Sequence, residues 1–527
     1  MAKHKLRRRL NQLTANAQHG LLAGAHIGLE KESLRVSPDG QLAQTPHPAA
    51  LGSPLTHPLI TTDYSEALTE FITPPLAGTG EVLAALRDVQ SFVYRQLENN
   101  ELLWATSMPC VVAGEDSIPI AHYGDSNIGR MKTVYRRGLG HRYGRLMQVI
   151  AGVHFNYSLP AAFWPVHQQL EGDRRLLQDF ISDHYFGLIR NLQRFGWLVP
   201  YLFGASPAVC KSFLNGQPTQ LKEFDRYTAY QPYATSLRMG DIGYQNNQEA
   251  ETGIKACYDD LDGYVDTLNC AINTPCAAYE RIGIFVNGRW EQLNANILQI
   301  ENEYYSTIRP KQTTGATEKP THALKRRGVK YVELRSLDVN AFDPLGISLP
   351  QMRFLEAFLV YCLLLDSPSI DAQERHEIDV NELAAAHRGR DPKLYLHRRG
   401  SKIKLSQWAS EILDDMTGVC ELLDDTHTSE VYRSSLAVQR GKVRDPERTP
   451  SARMLAEMRA NGEDFFHFGM RMSQQHRDHF YSLSLSEERR TEFIHMAEQS
   501  RQQQQAIEDA DDKPFGEFLR EYMAQTL

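Results

Sequence analysis

Carboxylates recur in segments of this chain that read as β-strands. Glu30 and Glu32 share a face of HIGLEKESLRV (26–36), with Gly28 and Leu34. ITTDYSEALTEFITPP (60–75) adds Asp63, Glu66 and Glu70. LMQVIAGVHFNYSLP (146–160) alternates with period two, so Gln148, His154 and Asn156 fall on one face and Val149, Val153, Phe155 and Tyr157 on the other. VKYVELRSL (329–337) sets Glu333 beside Arg335. Taken singly, each segment reads as well as an exposed edge strand, a half-solvated sheet face or a surface ion pair.

Taken together they ask for cations. Like charges facing one another on neighbouring strands repel, and hard divalent ions held by carboxylate oxygens with an occasional imidazole would neutralise them. Mg²⁺ in such sites bridges to substrate phosphates, and arginines opposite the acids would hold a transferring phosphoryl group. The pattern points to ATP-dependent chemistry without a P-loop; a metal-dependent hydrolase is the competing reading. GDSNIGRM (124–131) has P-loop glycine spacing but lacks the Lys-Ser/Thr pair, and RRGLGHRYG lacks the dinucleotide fingerprint. Arg238, among the tyrosines of YTAYQPYATSLRMGDIGYQ (227–245), suits a carboxylate-bearing ligand.

The elements that must position these groups follow from periodicity. Helices are expected over 1–25, 81–101 and 176–198, and a further strand over 292–303; 109–145, rich in Gly, Tyr and Arg, reads as loop. Beyond Pro350 the chain becomes helical, so the expected division is a sheet-bearing catalytic region (1–345) and a mainly helical region (346–527) packed on it. A net charge of −8 over 527 residues argues against a nucleic-acid partner. The longest apolar run, 354–365, is interrupted by Glu356 and falls short of the roughly 20 residues of a membrane span. The basic start MAKHKLRRRLNQL has no apolar stretch after it, so no signal peptide is expected. Seven cysteines without metal-ligand spacing suggest a cytoplasmic protein with neither a zinc site nor a disulfide framework.

Longer blocks carry a resemblance. GLEKESLRV, TTDYSEALTEFITPP, SMPC, GHRYGRLMQVIAGVHFNYSLP, RFGWLVPYLFGASPAVC, PYATSLRMGDIGY, LQIENEYYSTIRPK and YVELRSLDVNAFDP closely resemble glutamate–cysteine ligases of the proteobacterial type. The resemblance implies an α+β fold like that of glutamine synthetase, a curved antiparallel sheet forming half a barrel flanked by helices. It implies ATP- and Mg²⁺-dependent joining of the γ-carboxyl of L-glutamate to the amine of L-cysteine, the first step of glutathione biosynthesis, with Mn²⁺ as a possible substitute and a monomer free of membrane or nucleic acid. A related ligase with another amine acceptor is the nearest alternative.

By the same resemblance, Glu30, Glu32, Asp63, Glu70, His154 and Glu333 look like metal ligands. Arg335 and Glu333 would be catalytic, and Gln148 and Asn156 would meet substrate. Arg238 would take the cysteine carboxylate, with Tyr135, Tyr244 and Tyr305 around it, while Arg136, Arg309 and Lys311 would touch phosphate. Some family members pair the cysteine of SMPC with one just after AFW; here that stretch reads FWPVHQ, so Cys110 is expected to lack its partner. The chain is also expected to lack the glutathione-forming module of fused relatives.

Overall fold

The computed structural model of the chain describes residues 2–15, 19–22, 24–243, 254–425 and 427–526. Seven strands form one antiparallel sheet: β1 (His26–Val36), β2 (Ile60–Thr62), β3 (Leu68–Ile72), β4 (Leu102–Leu103), β5 (Gly152–Ser158), β6 (Ile308–Lys311) and β7 (Tyr331–Asp338). Their order is β6-β7-β5-β1-β3-β2, with β4 pairing the end of β1. Two acidic strands, β1 and β7, thus flank β5, and β1 is central rather than an edge.

Alternation decides which face goes inward. Ile27 and Leu29 of β1, Val153, Phe155 and Tyr157 of β5, and Val332 and Leu334 of β7 are all buried on the apolar side. Helices α2 (Thr79–Tyr94) and α4 (Leu177–Phe195) cover that side, and α5 (Leu349–Leu364) packs across both. Nearly every residue of α5 is buried, so the apolar run around Glu356 is a core helix. No helix among the described residues is long and apolar enough to cross a membrane. Removing a helix such as α5 from water contributes about 25 cal/mol per Å² of apolar surface, and α5 joins α2 and α4 in one core. The first helix, α1 (Ala2–Ala15), adds to that join: Arg9 donates to the carbonyls of Leu364 (2.9 Å) and Leu365 (3.1 Å) at the end of α5.

Several expectations are corrected. The segment 146–160 is not one strand: residues Met147–Val149 make a 3₁₀ turn, and β5 starts at Gly152. Residues 109–145 are not all loop. Helix α3 (Asn127–Tyr143) begins on a Ser126 cap whose side chain accepts from the Gly129 N–H. Its interior glycines mark close packing rather than turns; a Cβ on Gly138 would sit 2.2 Å from the Gln299 amide. Residues 292–303 form no strand, because their polar side chains wrap a buried arginine described below. Beyond residue 346 the helices are joined by one hairpin, Tyr395–Arg398 with Ser401–Lys404.

Cys110 is not without a partner. It is disulfide-bonded to Cys210, with Cα atoms 5.5 Å apart. One hundred residues separate the two, and only the approach of the SMPC turn to the Ala208–Cys210 strand brings them together. At its far end α3 is covered by helix α7 (Phe515–Met523), whose Phe515 and Leu519 pack on Val134 and Leu293. Lys513 contributes its carbonyl to Asn127 Nδ2 at 2.9 Å, and Lys319 Nζ donates to the Met523 carbonyl at 3.0 Å.

Candidate active site

The polar face of the sheet gathers the acids in register. Across β1 and β3, Glu32 pairs with Glu70; across β1 and β5, Glu30 pairs with His154; across β5 and β7, Asn156 pairs with Glu333; and across β6 and β7, Arg309 pairs with Glu333. Ligand atoms of Glu30, His154 and Glu333 lie within 4.8 Å of one another. His154 Nδ1 is 3.0 Å from Glu30 Oε2 and 3.6 Å from Glu333 Oε1, and its Nε2 is 3.8 Å from Glu32 Oε1. Asn156 donates its amide to Glu30 Oε1 at 2.9 Å, and Glu32 Oε2 accepts the Gly152 N–H at 2.6 Å.

Cations are unevenly distributed over this face. Arg335 lies 3.1 Å from Glu333 Oε1 and Lys311 Nζ 3.2 Å from Glu333 Oε2. Burial opposes ionisation of Glu333, but Lys311, Arg335 and His154 outweigh it and hold its carboxyl well below the usual carboxylate range. Burial likewise works against Glu30, reinforced by Glu333, yet the hydrogen bond and charge of His154 leave its pKa lowered. At the other end the balance reverses. Burial, then Glu30, Asp63 and Glu32, push Glu70 well above the usual range, and burial also raises Glu32. Such a set of buried oxygens, with one imidazole among them and too few positive side chains, fits divalent cations.

A β-bulge aims Arg335. The register of β7 against β5 shifts between Leu334 and Leu337, leaving an extra residue on β7 beside the site. The Arg335 carbonyl in the bulge accepts from Arg238 at 3.0 Å, and Arg238 lies 3.9 Å from Asp338. Gly152 makes room for that guanidinium: a Cβ there would come within 2.2 Å of it. Arg238 is 2% exposed and thus braces the bulge from beneath.

Comparison with known proteins places relatives along nearly the whole chain. A family model described as glutamate-cysteine ligase matches residues 10–384. The glutamate–cysteine ligase of Alcanivorax borkumensis is 49% identical over 525 residues, covering 99% of both chains. That of Pseudomonas paraeruginosa is 50% identical over 522 residues, covering 99% of this chain and 98% of its own. The chain belongs to the glutamate–cysteine ligase family. The crystal structure of the Francisella tularensis glutamate–cysteine ligase in complex with AMP superposes with a TM-score of 0.89 at 36% identity, covering 95% of this chain and 98% of that one. A bifunctional glutathione synthetase from Pasteurella multocida shares the fold at a TM-score of 0.73 and 24% identity; this chain covers 55% of its length.

Beside the acidic face, a cavity of about 230 Å³ is lined by Met239, Tyr305, Thr307 and Arg335 on one side and by Arg375, Ile378 and Asp379 of helix α6 (Ala372–Arg388) on the other. Tyr305 is buried, and its hydroxyl faces the Gln148 amide, 2.6 Å from Nε2 and 3.0 Å from Oε1. Gln148 therefore reaches Tyr305 from its turn rather than from the β5 face. Tyr135 is half-buried on α3, and Tyr244 lies outside the described residues.

The remaining cationic candidates have local partners. Arg136 donates to the Asp63 carbonyl and stacks 4.5 Å from the Tyr123 ring centroid. Arg309 donates to the carbonyls of Asn302 (3.0 Å) and Tyr304. Glu66 is not on the acidic face: its oxygens accept the N–H groups of His47 and His122, both at 2.8 Å. Two groups escaped the sequence reading. Lys132, one turn before Arg136, lies 5.1 Å from the same Tyr123 ring; its i, i+4 spacing from Arg136 would have signalled it once 127–143 was recognised as helix. Arg375 and Asp379 at the cavity mouth repeat at i, i+4 on α6, a pattern that also fits an ordinary solvated face.

Proposed function

We propose that this face joins the γ-carboxyl of L-glutamate to the amine of L-cysteine at the cost of ATP, the first step of glutathione biosynthesis. A carboxylate is a poor electrophile, and its attack on the γ-phosphate of ATP gives γ-glutamyl phosphate and ADP. The amine then attacks the activated carbonyl carbon, phosphate departs, and the amine proton is lost. No protein nucleophile is required; position and charge supply the catalysis.

The observation that carries this reading is the convergence of Glu30, His154 and Glu333 on one sheet face beside Arg335, in a chain of this family. The residues fit Mg²⁺: Glu30, Glu32, Asp63, Glu70, His154 and Glu333 would hold it, and it would neutralise phosphate charge. Arg335, aimed by its bulge, would stabilise the transferring phosphoryl group, and Lys311 stands next to it. Asn156 holds Glu30 in place through its amide at 2.9 Å. Tyr305, with Gln148 behind it, would form the wall against which cysteine rests, and Tyr135 and Tyr244 would complete it. Arg238 would take the cysteine carboxylate only by exchanging its bond to the Arg335 carbonyl.

The test follows ADP release by the purified full chain with Mg²⁺ and ATP, adding glutamate, cysteine or both. Fast release only with both amino acids is expected. No release in any combination would sink the reading. Release with glutamate and a different amine, but not with cysteine, would replace the acceptor.

A further inference from the structure

Behind the cavity wall lies a charged pair that the acidic face does not use. Arg142 and Glu303 are 2.8 Å apart and their side chains are fully buried. Burying two charges is costly unless every donor and acceptor is met, and here they are met. Arg142 donates to Gln292 Oε1 at 2.9 and 3.1 Å and to the Asn294 carbonyl at 2.7 Å, and lies 4.0 Å from the Tyr279 ring centroid. Glu303 Oε2 accepts the Gln299 N–H at 2.7 Å. Its Oε1 also accepts the Tyr143 hydroxyl at 3.0 Å.

From Tyr143 the chain of contacts leads into the site. Burial and then the Glu303 charge push the Tyr143 phenol far up, so it remains a donor. Its ring stands edge-on to Tyr305, with centroids 5.4 Å apart and planes at 79°. Tyr305 in turn meets Gln148, as described above. Tyr305 and Arg335 line the same cavity.

We propose that Glu303, clamped by Arg142 and acting through Tyr143, is the positioning residue of the acceptor wall. It fixes the Tyr305 ring, and with it the Tyr305 hydroxyl and the Gln148 amide, against the incoming amine substrate. The proposal rests on the function proposed above, in which Tyr305 borders the cysteine pocket. Neither Glu303 nor Tyr143 is among the residues lining the cavity, so on this proposal they act on acceptor binding through Tyr305 and leave phosphoryl transfer to glutamate alone.

Tyr143→Phe tests this without breaking the buried pair. E303Q would leave Arg142 charged and unmatched, so it serves only as a second arm if it folds. In the ADP-release assay, Y143F should raise KM for cysteine roughly three- to tenfold, as expected for one lost hydrogen bond. KM for glutamate and kcat should stay within about twofold, and Tm should stay near that of the wild type. In a Tyr305→Phe background, adding Y143F should change KM for cysteine little, because the hydroxyl it aims is gone. Unchanged KM for cysteine in folded Y143F would overturn the proposal. So would equal shifts in all three parameters, or a full additional effect in the Y305F background. A wild type inactive with glutamate and cysteine would fail the proposed function itself and take this proposal with it, a result separable from an active wild type and a silent Y143F.

Discussion

The two ends of the acidic sheet face hold the same kind of side chain in opposite electrostatic states. Around Glu333, the side chains of Lys311, Arg335 and His154 supply enough positive charge to keep the carboxyl ionised in spite of burial. Around Glu70, the nearest charges are Glu30, Asp63 and Glu32, and Arg136 only partly offsets them. The first end has positive side chains close to its acid; the second has few. The contrast divides the face: β6 and β7 set Lys311 and Arg335 beside Glu333, whereas Glu32 and Glu70 of β1 and β3 lie among other carboxylates, and the proposed metal would offset that repulsion.

The largest effect should come from the Glu333 end. E333Q uncouples Arg335 and Lys311 from their shared partner and should lower kcat on the order of 10²–10³-fold, the scale seen when a preorganised electrostatic group is lost. Near-normal turnover of E333Q at saturating Mg²⁺ would show that this end is structural only. At the Glu70 end the sign should depend on metal. In chelator-treated protein at pH 8, E70Q relieves repulsion among Glu30, Asp63 and Glu32 and should raise Tm by about 2 °C. With Mg²⁺ the order should reverse, since the wild type gains roughly 2.7 kcal/mol at a hundredfold excess over Kd and E70Q gains less. A thermal-shift titration that shows equal Mg²⁺ responses would remove Glu70 from the ligand set.

A third variant calibrates the other two with a buried acid outside the proposed metal set, and it should leave turnover unchanged. Glu356 in α5 accepts the Tyr432 hydroxyl at 2.7 Å, and burial pushes its carboxyl up to about 7 from 4.5. The folded state therefore binds the proton more tightly than the unfolded state. Its stabilisation is complete below pH 4.5, declines as pH rises toward 7, and is then level. E356Q cannot ionise, so the stability difference between wild type and E356Q should change across that window by at most about 3 kcal/mol, at 1.36 kcal/mol per pKa unit. Denaturant unfolding at pH 5 and pH 8 measures it; identical pH profiles for the two proteins would show that Glu356 does not titrate there.

The sequence made β1 legible to the residue, since strict alternation is bounded by a Ser-Pro-Asp-Gly turn after Val36. Strand periodicity puts Glu30 with Glu32, and Glu333 with Arg335, on one face of each strand; that these faces meet is what the family resemblance implies, and Glu66 does not join them. Gln148 was misplaced on the β5 face: the alternation before Gly152 is fortuitous, and those residues form a turn whose Gln148 N–H bonds the Arg145 carbonyl at 3.1 Å. Helix α3 was hidden by Gly129, Gly138 and Gly140, which normally signal a loop but here let neighbouring groups approach. The polar alternation at 292–303 looked like a strand, yet Gln292, Asn294 and Glu303 are spaced to surround Arg142, which has no one-dimensional signature. The Cys110–Cys210 bond was illegible for the same reason: pairing across 100 residues is set by tertiary approach alone.

The seating of α7 on α3 has a consequence for the order in which the protein comes into being. Helix α3 carries Tyr135, Arg136 and Arg142, and its outer apolar stripe at Val134 packs in a small cluster with Leu293, Phe515 and Leu519. A ribosome releases every strand of the acidic sheet long before it releases those two residues. The nascent chain can close its sheet early, but the helix that flanks it keeps an uncovered apolar edge until synthesis has passed residue 519. A chain ending before Phe515 should therefore hold α3, with its Tyr135 and Arg136, less firmly beside the sheet.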